Sequence, residues 1–130
     1  TALATMIESA ADASGIEYTS HIDNVDNQLT KEAEINLYRI VQEGVTNIVK
    51  HSAATQANIS LTNSEQILTL TIEDNGKGFD SSPENSQGGL GLTGIRERAT
   101  ILNAEHEIHS VKGMGTTIRV TMKLSTDVTH

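Results

Sequence analysis

The sequence contains no cysteine and no tryptophan, and only one proline, one phenylalanine and two tyrosines in 130 residues. Without thiols there is neither a disulfide framework nor thiolate chemistry, a composition compatible with a reducing compartment. With aromatics at 2% there is little material for stacking nucleobases, so nucleic acid is a poor match and the core must be built from Leu, Ile, Val and Ala. Basic residues are few as well: nine Lys and Arg stand against 17 Asp and Glu, a formal net charge of −8 that repels a phosphate backbone at long range. No apolar run approaches the roughly 18 residues needed to span a bilayer. The start at Thr1 shows neither a basic n-region nor an apolar h-region. The expectation is a soluble chain, cut from something longer.

What is present suits one domain, since 36% hydrophobic content can fill one core of ordinary size. Residues 2–13 are small and helix-compatible, Gly15 breaks them, and 16–22 alternates as a short strand. Thr30 is an expected N-cap, with Glu32 and Glu34 in the first turn where the helix dipole favours acids, and the helix that follows is expected to run to about His51. Strands are expected over 56–62 and 66–74, joined by a turn at Asn63-Ser64-Glu65. Residues 75–91 hold five of the ten glycines and the only proline, and loops beyond about 12 residues in a compact domain are usually functional or disordered. A helix over 92–103 and strands over about 105–111 and 116–124 complete the chain.

Within the strands, side chains two apart share a face. Ala57, Ile59 and Leu61 form one apolar set, Leu68, Leu70 and Ile72 a second, and Ile118, Val120, Met122 and Leu124 a third, while the intervening positions are polar. One face is core and the other meets water. That pattern predicts a two-layer α/β sandwich, a mostly antiparallel mixed sheet with helices on one face, rather than a doubly wound fold.

Extending the phase of Leu68, Leu70 and Ile72 lands on Asp74, and Thr116 extends the phase of Ile118. An unpaired buried carboxylate costs several kcal/mol, so Asp74 needs a donor. Two readings stand: N–H groups of its own turn supply it, or a ligand does, and an acceptor beside a hydroxyl in an apolar cavity suits an amino-substituted heteroaromatic ring. At about 100° per residue Glu43, Asn47 and Lys50 share a narrow arc, with His51 at its edge and Leu37, Val41, Val45 and Ile48 opposite. Such a stripe is either a solvated polar face or a set of oxygens and cations for Mg²⁺ bridged to phosphates. Gly89, Gly91 and Gly94 fit G-x-G-x-x-G at a helix start, where free N–H groups favour phosphate. A dinucleotide fold is excluded by context, because "SSPENSQ" rather than a strand precedes the glycines.

Taken in order, "EGVTNIVKH" (43–51), "DNGKGF" (74–79), "GGLGLTGIRERA" (88–99) and "KGMGTTI" (112–118) resemble the N box and three glycine boxes of the ATP-binding catalytic domain of sensor histidine kinases. That domain shares a superfamily, and the Bergerat ATP-binding fold, with the gyrase B subunit, the ninety-kilodalton heat-shock chaperone and MutL. The resemblance covers residues 16 to about 124. "LYRIVQEG" (37–44) and the lack of a phenylalanine-bearing F box look like the nitrate-sensor and DesK-type subfamily.

The resemblance implies roles for single residues. Asp74 would accept the adenine amino group with Thr116 beside it, and Gly76 and Gly78 would let the backbone pass the ring. Asn47 would hold Mg²⁺. Glu43 matches the acid that serves as general base for water in the ATPase relatives, and in a kinase it would polarise the reacting group. Lys50 and His51 would reach phosphates, and residues 79–90 would form a lid, with Gly89, Leu90, Gly91 and Leu92 lining the phosphates. That lid holds no basic residue, which leaves Arg96 and Lys50 to neutralise the γ-phosphate.

The implied reaction is transfer of the ATP γ-phosphoryl group to a histidine on a dimerisation domain, with a response regulator downstream and ATP and Mg²⁺ as cofactors. His21, His106, His109 and His130 lack the charged helical setting of such an acceptor. The domain would span residues 1–124, monomeric and cytoplasmic, with a disordered tail at 125–130. An anti-sigma-type serine kinase and an ATPase module without kinase activity are the rival readings, and the identity of the acceptor separates them.

Overall fold

The computed structural model describes residues 2–25, 28–78 and 92–124. Helix α1 (Ala2–Ser14) leads into strand β1 (Glu17–Ile22), and helix α2 (Lys31–Asn47) follows. Strands β2 (Gln56–Ser64) and β3 (Ile67–Asp74) come next, then helix α3 (Leu92–Ile101) and strands β4 (Glu105–Val111) and β5 (Gly115–Lys123). The five strands form one sheet in the order β1-β2-β3-β5-β4, with β1 parallel to β2 and the other pairs antiparallel.

The alternation seen in the sequence sets the layers. Ala57, Ile59, Leu61, Leu68, Leu70, Ile72, Ile118, Val120 and Leu124 are buried, and they cluster with Leu37, Ile40, Val41, Val45 and Ile48 of the long helical segment and Leu92, Ile95 and Ala99 of α3. The intervening strand residues stay at least partly exposed, Glu73, Arg119 and Lys123 among them. The fold is the two-layer α/β sandwich that the pattern predicts.

Thr30 caps α2 as expected, its Oγ1 accepting from the Ala33 N–H at 3.1 Å, a contact worth about 1 kcal/mol. The far end of that helix differs from expectation. After Asn47 the α-helix widens into a π-turn, Ile48–Ser52, which ends at Ala53 in a left-handed conformation (φ 55°). A π-turn advances by a smaller angle per residue than an α-helix, so Lys50 leaves the narrow arc of Glu43 and Asn47, and it is exposed.

The β2–β3 turn also moves. Asn63 and Ser64 remain paired with Leu68 and Ile67, and the turn is Glu65-Gln66, both with positive φ (51° and 67°). This is the two-residue primed geometry that matches the twist of antiparallel strands, adopted without the usual glycine. Asn63 is held in the strand by outside contacts: its N–H donates to Asp23 Oδ2 and its Nδ2 to Gln28 Oε1, each at 2.8 Å. Helix α3 stops two residues short of the expected Asn103, which closes it at φ 55°, with the Ala104 N–H donating back to the Ala99 carbonyl at 2.9 Å.

Candidate functional site

The C-terminal end of β3 carries Asp74, opposite Ala57 of β2 on one side and Thr116 of β5 on the other. Its Oδ1 accepts from the Gly76 N–H at 2.8 Å, and the Thr116 N–H also donates to the carboxylate. The two readings of this acid are therefore not exclusive, because backbone donors anchor the group and leave acceptor capacity for a further donor. Burial still outweighs those bonds and holds the Asp74 pKa above the ordinary carboxylate value.

Glycine sets the distance between β3 and β5. Gly115 has φ 102°, and a Cβ there would collide with the Asp74 carbonyl oxygen, so only glycine lets the β5 backbone close on the acid. Gly78 has a comparable packing reason, since a Cβ on it would collide with the Val111 carbonyl, and the Gly113 N–H donates to the Lys77 carbonyl. The first glycine box is thus stapled to the β4–β5 hairpin by its own backbone. Asn75 ties the same box to the other side: its Oδ1 accepts from the Thr55 and Gln56 N–H groups at 2.9 and 3.0 Å, and its Nδ2 donates to Thr55 Oγ1 at 3.0 Å.

Helix α2 reaches this end of the sheet through Gly44, which lies against the Ile72 side chain two residues before Asp74. Its neighbour Glu43 turns toward α3. A Cβ on Gly94 would stand 2.7 Å from both Glu43 carboxylate oxygens, so the first turn of α3 sits directly on the acid. Glu43 Oε2 and Asn47 Nδ2 are cut off from solvent without a hydrogen-bond partner among the described residues. These atoms lie one helical turn apart, and each unmade bond costs on the order of 1–3 kcal/mol. A fully solvated polar face would carry no such cost, and both residues are only partly exposed.

Arg98 of α3 was not singled out by the sequence. It donates from Nη1 to Oδ1 of the buried Asn36 at 3.2 Å and brings Nε to 3.8 Å from Glu43 Oε1. At that distance the cation attracts the carboxylate without a hydrogen bond, and Nε has no hydrogen-bond partner among the described residues. The signal available was its spacing four residues after Gly94, which puts both on one face of α3. Arg96 lies half-buried on α3, Leu92 is buried at its start and Gly76 is buried beside Asp74. Gly89, Leu90, Gly91 and the His51 side chain fall outside the described residues, as does the expected lid from residue 79 onward.

The arrangement joins an anchored acceptor at a strand end to a carboxylate and an amide with unsatisfied atoms on the facing helix. Residues 32–126 match the family described as histidine kinase-, DNA gyrase B- and HSP90-like ATPase. The chain belongs to that ATPase family. Among curated relatives, the signal transduction histidine-protein kinase/phosphatase DegS of Bacillus subtilis is 35% identical over 102 residues, covering 77% of this chain and 26% of that protein. The sensor protein VraS of Staphylococcus epidermidis is 39% identical over 100 residues, covering 77% of this chain and 28% of VraS. The chain thus spans about a quarter of the length of the curated relatives it matches. In fold, it superposes on the histidine kinase domain of the Erythrobacter litoralis blue-light activated histidine kinase with a TM-score of 0.83, at 23% identity over 98% of this chain and 61% of that one. The nucleotide that the family's fold serves is ATP. No helix among the described residues is long and apolar enough to cross a membrane.

Proposed function

We propose that this chain is the ATP-binding catalytic domain of a sensor histidine kinase of the nitrate-sensor and DesK type, folded over residues 1–124 and monomeric by itself. It donates the γ-phosphoryl group to a histidine on a dimerisation domain, from which a response regulator is phosphorylated, in the cytoplasm. The observation that carries this reading is the pair of solvent-free polar atoms on Glu43 and Asn47 that have no partner among the described residues, one turn apart on the helix whose Gly44 packs against Ile72, two residues before Asp74. Buried polar atoms without partners call for an explanation, and a bound ligand is one that fits the family.

Asp74 accepts the adenine amino group, held as an acceptor by the Gly76 and Thr116 N–H groups. Asn47 would hold a Mg²⁺ through its amide oxygen, because that ion keeps most of its waters and needs few protein oxygens, while its unpartnered Nδ2 is a donor suited to a phosphate oxygen or a water rather than to the ion. Bound there, Mg²⁺ would neutralise phosphate charge. Glu43, pressed against α3 by Gly94 and drawn by the Arg98 cation, orients and polarises the acceptor nucleophile. Lys50 and Arg96 supply positive charge for the phosphates, together with His51 and the backbone of Gly89, Leu90, Gly91 and Leu92. Gly76 and Gly78 bring the backbone past the base.

Positioning supplies much of phosphoryl-transfer catalysis, so with Mg-ATP alone the chain binds nucleotide and takes up no label. Adding the dimerisation helices as a separate chain gives slow transfer, the label being acid-labile and base-stable as a phosphoramidate is. Acid-stable label on the isolated chain would overturn this in favour of a serine kinase. Steady hydrolysis of ATP without any acceptor would favour the ATPase module.

A further inference from the structure

One row of residues crosses the whole sheet at its site end. Tyr18 of β1 pairs with Ala57 of β2, Ala57 with Asp74 of β3, Asp74 with Thr116 of β5, and Thr116 with Ser110 of β4. At one end the polar groups satisfy each other. Ser110 Oγ lies 3.2 Å from the Gly115 carbonyl oxygen and 2.9 Å from Thr116 Oγ1. The arrangement that satisfies both contacts has Ser110 donating to the carbonyl and Thr116 donating to Ser110, which commits the Thr116 proton inside the sheet.

At the other end stands Tyr18. Its ring packs against the core, while its hydroxyl is shut off from solvent with no hydrogen-bond partner among the described residues. Within this row only Ala57 stands between Tyr18 and Asp74, so the two residues lie about two strand spacings apart, roughly 10 Å at their Cα atoms, on the same face of the sheet. Burial, and after it the Asp74 charge, holds the phenol pKa above its ordinary value, so the O–H keeps its proton throughout the physiological range.

We propose that Tyr18 is a base-specificity residue whose hydroxyl donates, directly or across one water, to N1, the ring nitrogen beside the amino group that Asp74 accepts. The pair then reads adenine by a donor–acceptor edge, the carboxylate taking the amino proton and the phenol supplying the proton that Thr116 has committed elsewhere. A 6-oxo purine presents the reverse order and puts its carbonyl oxygen against the Asp74 carboxylate. The inference rests on the nucleotide reading above. Among the described residues nothing offsets the cost of this unmade bond, and a ring nitrogen of the base would supply the missing acceptor.

The test is calorimetric titration of wild type and Tyr18→Phe with ADP, with inosine diphosphate and with the 1-deaza and 7-deaza analogues of ADP, beside thermal melts without ligand. Tyr18→Phe should melt at the wild-type temperature or above it, because it removes a buried unpaired hydroxyl. Its ADP affinity should fall about tenfold, a typical loss for one buried hydrogen bond, while its weak binding of inosine diphosphate stays unchanged. The 1-deaza analogue should bind wild type about tenfold more weakly than ADP does and show no such deficit in Tyr18→Phe, whereas a deficit confined to the 7-deaza analogue overturns the inference. Unchanged ADP affinity in Tyr18→Phe, or equal losses for ADP and inosine diphosphate, overturns the inference while leaving the nucleotide site intact. Failure of wild type to bind any adenine nucleotide overturns both.

Discussion

Replacing Asp74 by Asn separates what this acid does for the ligand from what it does for the fold. In the structure one oxygen takes the Gly76 N–H at 2.8 Å, and an amide keeps an oxygen for that bond. The other position changes from an acceptor to an NH₂ donor, facing the amino group that the base brings. The binding loss combines a charge-assisted hydrogen bond, about 1.5–3 kcal/mol, with an unsatisfied donor, about 1–3 kcal/mol. Because Asp74 is only half-buried, the lower part of that range applies, about 3 kcal/mol, or roughly a hundredfold in Kd.

Stability moves the other way. The folded-state pKa of Asp74 lies above its ordinary value of 3.8, so between those two values the folded chain binds more protons than the unfolded one. By linkage this group's contribution is most favourable below the ordinary pKa, falls as pH rises through the window, and stays at its least favourable above the folded pKa. Asp74→Asn has no such dependence and should melt at neutral pH as high as wild type or higher. For the same reason wild-type ADP affinity should weaken as pH is lowered through the folded pKa, because the protonated acid is a poorer acceptor. Titration calorimetry with ADP at several pH values, paired with thermal melts, reads both quantities. A cooperatively melting Asp74→Asn chain that binds ADP like wild type would refute the assignment of this acid.

Two other substitutions probe the helix side. Asn47→Ala should weaken Mg-ATP binding about tenfold while changing metal-free ADP binding little, because it removes the amide oxygen offered to the ion. Equal losses with and without Mg²⁺ would assign Asn47 to the nucleotide or the fold instead. Gly94→Ala places a methyl 2.7 Å from both Glu43 oxygens. The tip of a flexible side chain can move aside, so the melting temperature should drop by only a few degrees, whereas transfer to an added dimerisation domain should fall at least tenfold with ADP affinity preserved. Full transfer activity in Gly94→Ala would show that the position of Glu43 beside α3 does not matter.

Periodicity is a local property, and local properties are what the sequence by itself determined here. The alternation of Leu68, Leu70 and Ile72 put Asp74 on the inward face, as the structure has it, because a strand reverses its side chains at every residue. Thr30 before Glu32 and Glu34 marked the start of α2, since capping depends on groups three residues away. The order of the four boxes carried the family, and its ATP-binding fold with it. Contacts between elements were decided only by tertiary structure. The primed turn at Glu65-Gln66 prevailed over the apparent turn at Asn63 because Asp23 and Gln28, distant in sequence, take up the N–H and the Nδ2 of Asn63. The π-turn re-aimed Lys50, which an ideal helical wheel had placed beside Asn47. Arg98 meets Asn36 across 62 positions, and Tyr18 enters the row of Asp74 through two strand registers. Such partners depend on how strands align and helices cross, and that is set by the packing of the whole core rather than by any window of neighbouring residues.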